Sequence, residues 1–363
     1  MYDDWPLLEL SAAAKSTVLS RFGAVTGRNI CRELVRELEP QVSQAVNNAD
    51  THGLKCSLSS DHDVNWTMQV IGHGLSLSFS SDYETIHDCV IIYSSWLTCM
   101  LAQPHAVVPR PIVEQPCRYV RQIVAHLTHL FVPRHEQFTD SAVVMRQAKE
   151  AHFLLRCLQS LVMQSRPDLQ DEIWPEVLKF LLTINDFLLS PPFEPEDISC
   201  QLAARILSVL FELWLFACGT GQFPSPPYWK TLHQLCKQWR HHSTLIDQWV
   251  KTCLVLTHKV LVDLYGPAYS KVTMSDDLEN LLPREISSET CSESWFRILH
   301  LLDNPALILD SQIRKQSHDS AESMMESVEC ANQLPYCFFR AVAGLRAIID
   351  AFFGNFLCCR SRS

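Results

Sequence analysis

Apolar residues recur at three- and four-residue steps through most of the chain, and prolines or polar clusters interrupt them about every 20 to 30 residues. That period puts one side of a helix against a core, whereas strict alternation would mark a strand. It predicts helices over Arg28–Val46, Val64–Gly74, Tyr83–Leu101, Pro116–Phe131, Thr139–Met163, Ile173–Leu189, Ile198–Cys218, Pro226–Arg240, Thr244–Tyr265, Ser292–Leu302 and Pro335–Phe353. The best strand signal, LSLSF at Leu75–Phe79, stands too isolated to seed a sheet. Ile198–Cys218 and Thr244–Tyr265 are apolar around much of their circumference, as inner helices covered on several sides would be.

Punctuation agrees with this pattern. Asp82-x-x-Thr85 precedes one apolar run, Thr244-x-x-Asp247 puts an acid in the first turn of another, and Pro226–Pro227 suits the start of a third. Gly219 follows Cys218 where a C-terminal cap is wanted. Ser270–Ser294 and Pro305–Gln333 read as polar loops, either mobile or carrying a short helix. Asp319, Glu322 and Glu326 also suit a solvated amphipathic helix in the second. The expected class is all-α, a HEAT/armadillo-like α-helical solenoid, with a globular helical bundle as the alternative because no fixed period is visible. Residues 1–355 form the expected α-helical scaffold region, with 356–363 a frayed tail.

Composition narrows the function classes. With 47% apolar and 19% charged residues, the 363-residue chain can bury a sizeable core. Ten glycines against 19 prolines disfavour a fold of tight hairpins or a glycine-rich phosphate loop. A net charge of −10 lacks the basic footprint of a nucleic-acid binder, so no nucleic-acid partner is expected. The longest apolar run, Ile206–Cys218, is broken by Ser208 and Glu212 and falls short of the roughly 20 residues that cross a bilayer, so no transmembrane segment is expected. The first residues, MYDDWPLLEL, are acidic where a secretory signal would be basic. Fifteen cysteines are scattered without any C-x-x-C pair. Cys89, Cys99, Cys157, Cys218, Cys253 and Cys337 fall within apolar helical patterns, where a free thiol acts as a small hydrophobe. A reducing, cytoplasmic location is the expectation.

Candidate chemistry is thin. His126-x-x-His129 puts two imidazoles on one helix face but lacks a third ligand at matching spacing, and no H-E-x-x-H occurs. Asp61-His62-Asp63 precedes a helix, where Asp61 or Asp63 is better suited to capping than to holding a cation. The pair in Gly72-His73-Gly74 lacks the remainder of any phosphate or nucleotide motif. Cys358-Cys359-Arg360 at the end could be acylated, though a frayed end is the commoner meaning of such a sequence. No catalytic, cofactor-binding or metal-binding residue is assigned, and no cofactor is expected.

The densest stretch is FPSPPYWKTLHQLCKQWRHH, Phe223–His242. His233 and Cys236 are i, i+3 neighbours, so an imidazole could approach a thiol, but a cysteine hydrolase normally brings its histidine from a distant segment and needs an oxyanion hole, and nothing in the sequence supplies those. The bland alternative is a repeat helix. Trp229, Leu232, Cys236 and Trp239 form one stripe beginning at the Pro226–Pro227 corner, and His241 and His242 end it with partial positive charge suited to the carbonyl end of the dipole. Trp229, Trp239 and Arg240 are residue types enriched at interface hot spots, although helical spacing favours the core for the tryptophans.

Several strings then occur in an order that resembles a known family: WTMQVIGHGLSL (Trp66–Leu77), LFVPRHEQ (Leu130–Gln137), LLTINDFLLSPP (Leu181–Pro192), VLFELWLFAC (Val209–Cys218), FPSPPYWKT (Phe223–Thr231), WRHH (Trp239–His242), WFRILHLLDNP (Trp295–Pro305) and FFRAVAGLRAIIDAFFG (Phe338–Gly354). They resemble the N-terminal region of the beta subunit of the Ral GTPase-activating protein complex, from the first residues to about Gly354. The resemblance implies a non-catalytic subunit that works by protein–protein contact with a catalytic alpha subunit, and indirectly on Ral small GTPases. It also implies that the family's Rap-GAP-like domain is absent from this chain, as in a fragment, a truncated gene model or a short isoform. A general helical adaptor in trafficking or signalling, unrelated to small GTPases, is the alternative.

Overall fold

In the computed structural model, every regular element among the described residues is a helix, and the all-α expectation holds. The structure describes residues 2, 4–10, 18–47, 58–104, 106–134, 141–190, 198–221, 224–269, 278, 281–283, 286–309 and 321–353. In chain order the α-helices are α1 (Ala24–Asn47), α2 (Asp61–Gly74), α3 (Tyr83–Trp96), α4 (Arg110–Glu114), α5 (Pro116–Leu127), α6 (Ser141–Met163), α7 (Pro167–Leu189), α8 (Ile198–Gly219), α9 (Pro226–Gln238), α10 (Ser243–Tyr265), α11 (Ser288–Leu299) and α12 (Ala321–Phe353). Short 3-10 turns extend α3 and α5 at Leu97–Met100 and Thr128–Phe131 and also occupy Val18–Arg21 and Pro305–Leu309. The chain divides into two compact units, one of residues 10–188 and 196–202, the other of residues 1–9, 189–195 and 203–363.

Several expectations are corrected by identifiable contacts. LSLSF is a turn: the Arg134 guanidinium donates to the Leu75 and Leu77 carbonyls, which therefore need no partner strand. Helix α7 starts at Pro167, earlier than Ile173, with the proline at the first helical position and Asp168 in the first turn. Helix α11 starts at Ser288, inside the expected Ser270–Ser294 loop, because Ser287 is a cap whose Oγ accepts the Thr290 N–H at 3.1 Å. The rest of that loop lies largely outside the described residues. Helix α12 starts at Ala321, in keeping with the helical alternative for Pro305–Gln333 and not with the loop, and Pro335 lies within it rather than opening it. Thr139 and the tail from Gly354 also lie outside the described residues.

The caps moved too. Ser60, not Asp61 or Asp63, caps α2: its Oγ accepts from the Asp63 N–H at 3.1 Å and donates to the Asp63 carboxylate at 2.6 Å. Asp61 instead accepts from Arg118 and the Tyr119 hydroxyl. Asp82 stands at the N-cap of α3 without capping, its carboxylate held by Arg28 at 2.6 Å and Arg32 at 2.9 Å. Asp247 is claimed by Arg340 in a two-pronged pair. Gly219 belongs to α8, and an added Cβ there would meet Pro283 Cγ at 2.5 Å, so close approach explains the glycine.

In the first unit the glycines of Gly72-His73-Gly74 are packing positions. A Cβ on Gly72 would meet the His126 ring at 3.0 Å, and one on Gly74 would meet the sulfurs of Cys89 and Cys31 at 2.6 and 2.7 Å. Against the same helix, α3 buries Tyr93, whose hydroxyl donates to Met68 O at 2.8 Å. A hydroxyl has one proton, so the 2.7 Å contact with His126 Nδ1 has the imidazole donating. On its outer side α3 reaches α6 through Glu150, almost fully buried, which accepts from His87 Nδ1 at 2.9 Å and the Tyr83 hydroxyl at 2.7 Å.

In the second unit α10 is the central helix. Trp249 Nε1 donates to Ile298 O at 2.8 Å and Trp295 Nε1 to Thr257 Oγ1 at 2.9 Å, so α11 runs antiparallel along it. Helix α12 runs parallel, through Cys337 to His241 O, Arg340 to Asp247, and Gly344 against Val250. Gly266, with φ of 87°, closes α10 by donating to Val262 O at 2.8 Å. Helix α8 is long and apolar enough to cross a bilayer by length and composition, but 67% of its most apolar window is buried within the protein, as in a core helix.

Two predictions follow from these contacts. A Cβ at Gly344 runs into Val250 Cγ2, so Gly344→Ala is expected to cost about 1–3 kcal/mol through overpacking, outweighing a helix-propensity gain of about 1 kcal/mol. Urea unfolding of Gly344→Ala, Val250→Ala and the double variant checks it: the double should recover most of the loss, and simple additivity would sink the close-approach argument. The second concerns pH. Hydrogen bonding to Glu150 raises the His87 pKa despite burial; burial pushes the Glu150 carboxyl up, but the bonds from His87 and Tyr83 outweigh it and hold it low. The raised imidazole contributes stability that is lost as pH rises through its folded value, and the lowered carboxyl contributes stability lost as pH falls through its own. Glu150→Gln should therefore destabilise most at about pH 5–6 and less at about pH 8; an equal loss at both would contradict the coupling.

Candidate functional site

The histidine- and tryptophan-rich stretch forms α9 and the corner into α10. Pro226 and Pro227 open the helix after Ser225, since proline's missing N–H is harmless there. Trp229, Leu232, Cys236 and Trp239 are all buried. The tryptophans are therefore core side chains and not exposed anchors: Trp229 meets Trp214 edge-on at 5.3 Å, and Trp239 Nε1 donates to Ser190 Oγ at 3.3 Å. Arg240 is half-buried.

His233 and Cys236 are not brought together as base and nucleophile. The His233 Nε2 contact is the Asp303 carboxylate at 3.0 Å, and Lys237 Nζ takes the other Asp303 oxygen at 2.6 Å. Tyr2 lies over the imidazole at 4.5 Å, buried enough that its hydroxyl pKa is pushed up to about 12. Burial lowers the His233 pKa against the pull of Asp303. Burial also pushes the Cys236 thiol well up, the opposite of what a nucleophilic thiolate requires. Asp303 itself sits in the left-handed region at φ 53°, and its carboxyl is desolvated yet held low by Lys237 and His233.

The same end of the unit is tied to Tyr2, Trp5 and Leu8. Leu8 N–H donates to Thr231 Oγ1 at 2.8 Å, and the Arg297 guanidinium lies 5.1 Å from the Trp5 ring and 5.4 Å from the Trp229 ring. His241 and His242 do not supply positive charge to a helix end. Burial lowers their pKa values to about 3 and about 4, which leaves both neutral at pH 7. His241 contacts Gln238 O at 3.1 Å, and His242 precedes α10 while contacting Leu189 O at 3.1 Å. His126 and His129 are lowered by burial as well, His126 to about 4, and among the described residues no group of three or more His, Cys, Asp or Glu side chains is placed to hold a metal.

Sequence reasoning missed Tyr2, Arg297 and Asp303. Asp303 lies 70 positions from His233, so no local spacing could join them; only the Asn304–Pro305 turn dipeptide marks the corner. A cleft of about 600 Å³ in the first unit was likewise not anticipated. Arg32 and Arg36 of α1, Arg146 of α6 and the first turn of α3 line it, with Asp82, Glu84 and Asp88 supplying the opposite sign. Because Asp82 already engages Arg32, the walls present no uncompensated charge of one sign.

Residues 143–267, from α6 through α10, match the family model of the RALGAPB N-terminal domain. The chain is 36% identical over 366 aligned residues to Ral GTPase-activating protein subunit beta of Mus musculus and 35% identical to that of Homo sapiens, in each case over 98% of this chain and 24% of the relative. It is 30% identical over 129 residues to a Rap-GAP domain-containing protein of Dictyostelium discoideum, 35% of this chain and 8% of that protein. The chain thus spans about a quarter of the length of the beta subunits it matches. No solved structure matches it. Through almost its whole length, and with the matched domain inside it, the chain is similar to the N-terminal region of the beta subunit of a Ral GTPase-activating protein.

Proposed function

We propose that the chain is a non-catalytic, α-helical scaffold segment of a Ral-directed GTPase-activating complex, acting in the cytoplasm through contact with a catalytic alpha subunit. The supporting observation is the similarity to Ral GTPase-activating protein subunit beta over 98% of the chain. The site geometry is in keeping with it: the side chains that could have formed a reaction centre, His233, Cys236, His241 and His242, are buried in helix packing. Stacked antiparallel helices of the solenoid type would supply the extended surface such a role needs.

Co-expression of tagged chain with a Ral GTPase-activating protein alpha subunit is expected to recover the two together, and single-turnover GTP hydrolysis on Ral is expected to be unchanged by the chain alone. Recovery of no alpha subunit would favour the general helical adaptor; acceleration by the chain alone would overturn the non-catalytic assignment. Thiol labelling tests the remaining enzymatic alternative. Among the described cysteines Cys200 is exposed and should label in native protein, whereas buried Cys236 should react only on unfolding. Fast native labelling of Cys236 would restore a nucleophile to α9.

A further inference from the structure

Two thiols meet in the first unit where three helices converge. Cys31 of α1 and Cys89 of α3 are both fully buried. A Cβ placed on Gly74, the last residue of α2, would meet the Cys89 sulfur at 2.6 Å and the Cys31 sulfur at 2.7 Å. Both sulfurs therefore crowd one point, against the backbone of a residue that has no side chain. Cys31 Sγ also donates to Val70 O of α2 at 3.5 Å. Burial, and after it the hydrogen bond with Cys31, raise the Cys89 thiol well above its ordinary pKa. A single buried cysteine is a small hydrophobe, but two that touch from different helices can be joined.

We infer that Cys31 and Cys89 form a redox site that closes to a disulfide under hydrogen peroxide, fastening α1 to α3. Burial selects the oxidant: peroxide is small and uncharged, whereas a peptide disulfide is too bulky to enter a closed pocket. The roof over the sulfurs is the end of α2 and the turn after it, which Arg134 pins by donating to the Leu75 and Leu77 carbonyls. Opening of that turn lets water and peroxide reach both sulfurs together. One thiol then loses its proton to water and its sulfur attacks peroxide, breaking the O–O bond to give a sulfenic acid and hydroxide, which takes up the proton as water. The second sulfur displaces hydroxide from the sulfenic sulfur, forming the S–S bond, and that hydroxide leaves with the second thiol proton as another water. The two thiols give up one electron pair and peroxide accepts it. The inference goes beyond the Ral-directed assignment and does not rest on it: failure to recover an alpha subunit leaves it untouched.

The test is peptide mapping by mass spectrometry on the full chain, held native in hydrogen peroxide for increasing times and then unfolded in an alkylating reagent. A peptide pair joined through Cys31 and Cys89 should accumulate and disappear on treatment with dithiothreitol, and the thermal unfolding midpoint should rise and fall with it. Arg134→Ala should form the same cross-link about tenfold faster, because the turn over the sulfurs is no longer pinned. Cys31→Ala and Cys89→Ala should each lose both the cross-link and the reversible rise in midpoint; if either fails to fold, the wild-type map decides. Recovery of Cys31 and Cys89 as alkylated thiols, or as separate sulfinic or sulfonic acids, would overturn the proposal. So would a cross-link that forms only in unfolding concentrations of urea, or one that forms no faster in Arg134→Ala.

Discussion

Taking a histidine out of water disfavours its charged form, and that desolvation governs what the chemically suggestive residues of this chain can do. His126, His241 and His242 are neutral at pH 7 because helices close over them, and each then spends a ring nitrogen on a hydroxyl or carbonyl contact inside the packing. Cys236 follows the same logic in reverse, its thiol kept protonated by the same burial. Where charge survives inside, it is matched directly: Glu150 by His87 and Tyr83, Asp303 by Lys237 and His233, Asp82 by two arginines. Polar side chains therefore act here as fasteners between helices.

That division explains what could be read from the sequence. The existence and type of the long helices were legible because each buries a stripe with a 3.6-residue period, as Tyr119, Val120, Ile123, Val124 and Leu127 do on α5. The N-terminal part of α12 was legible only as one of two alternatives, loop or solvated helix, because its polar residues suit both and a proline usually opens a helix. The serines before α11 were ambiguous for a related reason: one residue type serves both loops and caps, and only the Ser287–Thr290 bond separates the roles. Partners such as Arg340 for Asp247 or Asp303 for His233 lie 93 and 70 positions apart and leave no local trace.

The strings that carry the family resemblance coincide with such fasteners. WFRILHLLDNP holds Trp295, which bonds Thr257, Arg297, which sits against two tryptophans, and Asp303. VLFELWLFAC is the largely buried C-terminal half of α8, with Trp214 against Trp229. Uncommon residues placed to lock helices together make a recognisable text.

Asp303 shows how narrow such a position becomes. Its backbone occupies the left-handed region, where residues with a branched β-carbon are strained and glycine, asparagine and aspartate are at ease. Its carboxylate must also accept from an imidazole and an ammonium at once. Glycine satisfies the first demand and fails the second, glutamate the reverse, and asparagine keeps the shape while leaving Lys237 without a counter-charge. Two unrelated filters, one steric and one electrostatic, thus overlap on a single residue type, and the corner after α11 is written in an alphabet of nearly one letter.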